Sequence, residues 1–254
     1  MKKRMFLLLG VIVTVFIVAS AFTACLQPTD NTSDNSSGNS SGNSSGNSSG
    51  NPSGNPSGNQ PEIFTSIADF ETWLASKDVN TAATAYTVKL NVNNLGGGSS
   101  ASGSVGYIMS IYNTPPAPPT PAKTSTKYVN LDLSGSTITF IDNDAFQSCY
   151  GLASVILPIG VTEIKSSAFN RCYSLTSVII PNSVNILGDW AFGNNTGLTS
   201  VTFQGTIPAA NFSRMGTFFG DLRDKFYAAN STNGTPGTYK TTAPVSASSV
   251  WSKQ

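Results

Sequence analysis

The chain contains no histidine, and that absence removes Ser-His-Asp and Cys-His nucleophile systems together with the commonest zinc ligand. Charge is scarce too, at 11% of residues. Lys2, Lys3 and Arg4 lie at the start of the chain, so 11 of the 14 basic side chains remain to face 13 acidic ones, and they form no basic stripe. Nucleic-acid binding rests on clustered Lys and Arg neutralising phosphates, so it is excluded as a function class. No Gly-rich phosphate loop, paired catalytic carboxylates or metal-spaced cysteines occur. Asp142, Asp144, Glu163 and Asp189 are the candidate carboxylates for acid and base work or for calcium. Asp142 and Asp144 fall in a turn, where short polar side chains commonly satisfy local backbone donors, and capping is the preferred reading. The chain therefore reads as non-enzymatic, with no cofactor and no metal.

Residues 1–24 have the parts of a secretory signal peptide: a basic start, an apolar run from Met5 to about Val18, and small residues before Cys25. The run is about long enough to span a bilayer, which leaves an uncleaved anchor as the alternative. Phe22-Thr23-Ala24-Cys25 resembles a bacterial lipobox, with Phe22 where the usual form has leucine, as in the looser spirochaetal version. That resemblance implies lipidation of Cys25 and cleavage before it, which makes the protein exported and lipid-anchored to a bacterial membrane, at the outer membrane or cell surface. A triacylated cysteine, at ~0.8 kcal/mol per buried methylene, anchors stably where one chain would be marginal. Residues 25–61 are the tether. Between Asn31 and Asn59 they are almost entirely Asn, Ser and Gly with a little Pro, and no apolar residue occurs, so nothing offsets the entropy of ordering. Such a coil spans roughly 30 Å on average and about 100 Å when stretched. Its Asn-x-Ser triplets match a glycosylation acceptor pattern but read as solvated spacer.

Residues 62–128 read as an N-terminal cap. Ser66 as N-cap, Asp69 three residues on, and Ile67, Phe70, Trp73 and Leu74 at helical spacing predict a helix from about Ile67 to Lys77. Tyr86, Val88, Leu90 and Val92 alternate with polar residues, the pattern of a half-buried strand. A Gly and Ser loop, a short helix over Val105 to Tyr112 and an extended Pro115 to Pro121 segment follow. Trp73 is read as core rather than as a ligand-stacking ring.

From Ile138 to Phe203 one 23-residue pattern is written three times. Ala145-Phe146, Ala168-Phe169 and Ala191-Phe192 recur at that spacing, as do Leu152, Leu175 and Leu198, Val155, Val178 and Val201, and Ile141, Ile164 and Leu187. Cys149 and Cys172 share a column that Asn195 fills in the third copy. Fixed periods of this size mean stacked units that cannot bury their apolar side alone. Each unit is expected to hold a strand (Leu131–Leu133, Val155–Leu157, Val178–Ile180, Val201–Phe203), a turn at Pro158 or Pro181, a second extended piece and a helical turn carrying Ala-Phe. Alternation then points Ile156, Ile179 and Thr202 outward, flanked by Ser154, Ser177 and Ser200 and preceded by Asp132. These seven residues are the candidate partner-binding positions. Four short strands make a face of only about 200 Å², against roughly 800 Å² per partner of a standard interface.

The spelling from Cys172 to Phe192, and the coil before it, resemble the treponemal or BspA-like class of leucine-rich repeats. The flanks at Leu131–Gly135, Phe203–Pro208 and Gly237–Tyr239 resemble those of oral treponemal lipoproteins with few repeats. The resemblance implies an α/β solenoid, a short leucine-rich-repeat stack of 23-residue period over residues 129–208 with non-repeat N- and C-terminal caps. It also implies surface or secreted proteins with adhesive roles, hence a host or bacterial surface protein or glycan as partner and a membrane contact through the N-terminal lipid. In this class the cysteine column faces inward as free thiols. Two free thiols are preferred for Cys149 and Cys172, and a disulfide between column neighbours about 5 Å apart stays open. Past Phe203 the pattern fades into a C-terminal cap, residues 209–254. Ile207 still holds the Val161 and Val184 column there, and Asp221 to Ala229 reads as a helix with Asp221, Arg223, Asp224 and Lys225 on its solvated side. A periplasm-facing envelope scaffold and a small glycan-binding module, for which Trp73 and Trp190 are the aromatic candidates, remain alternatives.

Overall fold

The computed structural model describes residues 61–112 and 126–254. The expected signal peptide, Cys25, the expected tether up to residue 60 and the Pro115 to Pro121 segment lie outside the described residues. Two four-stranded sheets carry the fold. The first is built from β1 (Glu62–Phe64), β2 (Tyr86–Leu90), β3 (Val129–Asp132) and β5 (Leu152–Ile156), side by side and all parallel. The second places β7 (Ser177–Ile180) parallel to β9 (Ser200–Phe203), then adds β10 (Gly237–Lys240) and β11 (Ser252–Lys253) antiparallel in turn. A third ladder on another side of the coils joins β4 (Phe140–Ile141), β6 (Glu163–Ile164) and β8 (Ile186–Leu187) in parallel.

The residues at the inward columns explain why the coils stack. Leu152, Leu175 and Leu198 are at most 2% exposed, and the Ile141, Ile164 and Leu187 column at most 1%. Inside runs a file of parallel rings: Phe146 on Phe169, Phe169 on Phe192 and Phe192 on Phe218, with centroids 5.1, 5.0 and 4.9 Å apart. The spacing follows from coils hydrogen-bonded at the ~4.8 Å separation of neighbouring strands.

The Ala-Phe segment is a turn rather than the helical turn expected. Each copy holds two non-glycine residues in the left-handed region: Asp144 and Ser148, Ser167 and Arg171, Trp190 and Asn194, with φ between 56° and 63°. Such residues are disfavoured alone. Here the curl aims backbone groups at the next coil, and the amides of Phe146, Phe169 and Phe192 donate to the carbonyls of Ala168, Ala191 and Thr217 at 2.7–2.8 Å.

Both caps continue the stack instead of merely covering it. The N-terminal segment is a β-α-β-α-β run in which α1 (Ile67–Ser76) and α2 (Val105–Ile111) connect parallel strands. Ser66 Oγ caps α1 by accepting from Asp69 N. At its other end the Lys127 ammonium donates to Leu74 O and Ala75 O, and burial lowers its pKa against the pull of Asp78. Trp73 packs among Phe64, Phe70 and Tyr86. At the far end Phe212 bridges to Leu187 and Phe218 extends the ring file, both beyond residue 208. Spacings of 25 and 26 residues there hide the repeat, as does Leu131 pairing with Val155 across a register shift in the first coil.

The last helix, α3 (Leu222–Tyr227), is shorter than the expected span, and two of its polar residues are structural rather than solvated. Arg223 donates to Phe212 O and Ala209 O at 3.0 Å and lies over the Tyr227 ring, and Asp221 accepts from Trp251 N at 2.7 Å. Tyr227 donates to Ile207 O at 2.7 Å, and burial pushes its pKa up to about 12 despite Arg223 beside it. Its unfolded value is about 10. The folded state holds the proton more tightly, so this stability is fully present below about pH 10 and is lost as pH rises towards 12. The melting temperature is expected to fall across that window, and less steeply in Tyr227→Phe. Part of the fall should remain, because burial also raises Tyr239.

Candidate functional site

Outward residues of the strand face fall into two rows fixed by strand pairing. One row runs Ile63, Lys89, Asp132 and Ile156 in the first sheet, then Ile179, Thr202 and Thr238 in the second. The other runs Thr87, Asn130 and Ser154, then Ser177, Ser200 and Lys240. All seven residues expected on this face sit in these rows. Their inward neighbours Val155, Val178 and Val201 are buried.

Ile156 and Ile179 are each 54% exposed and lie where β5 meets β7, at the middle of the combined face. Some of the polar side chains around them are tied to one another. Ser154 Oγ donates to Asn130 Oδ1 at 2.9 Å, Thr202 and Thr238 hydroxyls meet at 2.8 Å, and Lys89 pairs with Asp132 at 3.7 Å while donating to Ser134 Oγ. The result is an apolar centre with a polar, partly hydrogen-bonded rim that includes the exposed Lys240, the composition of a protein interface in miniature.

The face is wider than the four strands expected. Eight strands at ~4.8 Å spacing, with three outward-facing residues' length at ~3.3 Å rise, give about 400 Å². Sequence reasoning missed Ile63 and Lys89. The alternation around Lys89 was visible, but without a repeat spelling nothing placed that strand beside the repeats. Phe140 and Ile186, outward on the β4–β6–β8 ladder, and Ile159 beyond Pro158 were missed as well. Trp190 is 39% exposed and lies across Gly193 and Gly216, far from the outward rows in register.

The four candidate carboxylates do not converge. Asp142 pairs with Lys165 at 3.0 Å, Asp144 accepts from Gln147 Nε2 at 2.9 Å and Asp189 accepts from Ser213 Oγ. For Asp142 and Asp144 the partners are thus side chains rather than the local backbone donors expected. Among the described residues no group of three or more His, Cys, Asp or Glu could hold a metal ion. Cys149 and Cys172 are free, buried thiols, donating to Gly106 O and Phe146 O, and Asn195 Nδ2 donates to Phe169 O in the same column. Burial raises both thiol pKa values, which keeps these sulfurs unreactive.

Coils whose parallel strands, leucine columns and inward asparagine or cysteine repeat in this way define a repeat solenoid. Residues 122–215 match, in six copies, the family described as BspA type leucine rich repeat region. A solved leucine-rich repeat protein from Bacteroides ovatus is similar over 35% of this chain and 32% of that one, at 22% identity and a TM-score of 0.23. The chain thus spans about a third of that protein's length. No curated protein matches the chain. Among the described residues no helix is long and apolar enough to cross a membrane.

Proposed function

We propose that the protein is a non-enzymatic, lipid-anchored module displayed at a bacterial cell surface, where its strand face docks a protein of a host or neighbouring cell. The observation that carries this reading is the Ile156 and Ile179 pair, open to solvent at the centre of the strand face. The leucine-rich-repeat match supports an interaction scaffold, and the Cys25 lipobox supports the anchor. A face of about 400 Å² is half of what one partner contributes to a standard complex, so each contact is weak. Many tethered copies at a membrane supply the missing affinity through effective concentration.

Retention of host cells on a surface coated with the full chain is expected to fall about tenfold in Ile156→Asp/Ile179→Asp, the equivalent of about 1.4 kcal/mol. Unchanged retention would sink the strand face as the docking surface. For display, protease added to intact cells is expected to degrade the chain, and Cys25→Ala is expected to move it to the aqueous phase of a detergent partition. Protection from the protease would instead assign the protein to the periplasmic side as an envelope scaffold.

A further inference from the structure

Outside the carboxyl ends of β1, β2 and β3 lies a cleft of about 540 Å³ lined by the polar Thr65, Asn91, Asn93, Asn94 and Thr137 together with the apolar Ile67 and Val92. A narrower pocket of about 120 Å³ shares Asn93, Asn94 and Thr137 with it and runs on to Phe140 and Asp142. At this rim successive strands deliver their loops side by side, Thr65 after β1, Asn91 after β2 and Gly135 after β3. The volume of the cleft falls within the roughly 300–1,000 Å³ of small-ligand sites.

The wall chemistry selects the ligand. Side-chain amides and hydroxyls both donate and accept, as the hydroxyls of a sugar do. Charge is absent or neutralised: Asp142 is held by Lys165 at 3.0 Å and Lys89 by Asp132 at 3.7 Å. The first turn of α1 opens near the cleft but carries Asp69, which disfavours an anion there. At the narrow end Phe140 is 44% exposed, with Lys165 Nζ over one side of its ring, leaving apolar surface for the C–H face of a sugar ring. Asn91 adds an independent sign. Its Oδ1 is buried without a partner and pressed against Gly135, where an added Cβ would come within 2.0 Å of it. An unpaired buried acceptor is costly, and an asparagine is accounted for at this spot if its Nδ2 serves something in the cleft.

We infer that this cleft binds a neutral oligosaccharide of two or three residues. The site lies at the strand ends and shares no residue with the Ile156 and Ile179 centre, so it stands or falls apart from the docking face. The full chain in detergent micelles, titrated with chitotriose, maltotriose and lactose, is expected to show saturation-transfer NMR signals for at least one of them, with a Kd on the order of 1 mM. Thr137 is exposed and its side chain makes no hydrogen bond, so Thr137→Trp should fold and fill the cleft. Binding is expected to weaken at least about tenfold in Thr137→Trp, as when steric exclusion removes a good part of −4 kcal/mol, and to be unchanged in Ile156→Asp/Ile179→Asp. If Thr137→Trp melts early, Asn93→Asp serves in its place by setting a charge in the wall. The inference is overturned if none of the three sugars gives a signal, or if the signal survives both cleft variants. Preference for 3′-sialyllactose, or displacement of the sugar by a peptide copying residues 31–59, would overturn it too.

Discussion

Phe169→Ala is expected to destabilise the stack by about 3 to 5 kcal/mol, the range for truncating a fully buried phenylalanine. Phe169 is fully buried between Phe146 and Phe192, with ring centroids 5.1 and 5.0 Å away and planes within 9° of parallel. Centroids that far apart in parallel planes mean offset stacking, the favourable arrangement for two ring quadrupoles. Neither neighbour can close the gap, because the backbone amides of Phe146 and Phe192 are themselves tied to the next coil at 2.7 and 2.8 Å. The cavity therefore persists, and its cost is added to the lost transfer energy. Stability in such stacks is nearly a sum of unit and nearest-neighbour terms. Removing the ring at the end of the file should cost less, since Phe218 has a parallel partner on one side and is 7% exposed. Urea unfolding of both variants checks the ordering. A loss below about 1 kcal/mol at Phe169 would show that the file is not what holds the coils together.

What could be read from the residues was whatever the coils repeat inward. Leucine, valine and phenylalanine columns are legible because each coil must present the same apolar atoms to the next, and the outward direction of Ile156 and Ile179 follows from alternation. The inward cysteine and asparagine column came from the family resemblance, and its donor-to-carbonyl geometry explains why a thiol and an amide can exchange there.

The ends were illegible for a physical reason. Parallel pairing is made by backbone groups, so β1 and β2 join the sheet without spelling the repeat. At the other end insertions before Phe212 and Phe218 shift the columns while preserving the bonds. The eight-strand width of the face follows from β1 and β2 at one end and β10 and β11 at the other, and the polar cleft follows from the N-terminal strands, which is why neither was visible. Left-handed turn residues escaped for a related reason: Asp, Ser, Arg, Trp and Asn share no side-chain property that demands positive φ. Arg223 and Asp221 looked solvated because charge on a helix usually is, but here they satisfy the backbone of neighbouring loops.

The second large effect is expected at the junction of cap and repeats, and its sign alone is informative. Gly106 lies in α2, where alanine would ordinarily stabilise a helix by about 0.5 to 1 kcal/mol. A Cβ at this position would sit 1.8 Å from Ala145 O, a backbone atom that cannot rotate away. Ser99 N donates to Asp144 O and Cys149 Sγ to Gly106 O across the same contact, so α2 occupies the place of a preceding coil against the first Ala-Phe turn. Gly106→Ala must push the helix off that turn, breaking both bonds and opening the end of the ring file at Phe146. A destabilisation of about 3 kcal/mol is expected, at the upper end of overpacking costs. Gly160 is the control, because an added Cβ there meets nothing nearer than 4.0 Å and Gly160→Ala should stay within about 0.5 kcal/mol of the parent. Thermal melts of the two variants decide the matter, and a Gly106→Ala protein as stable as the parent would mean that α2 does not seat on the first coil.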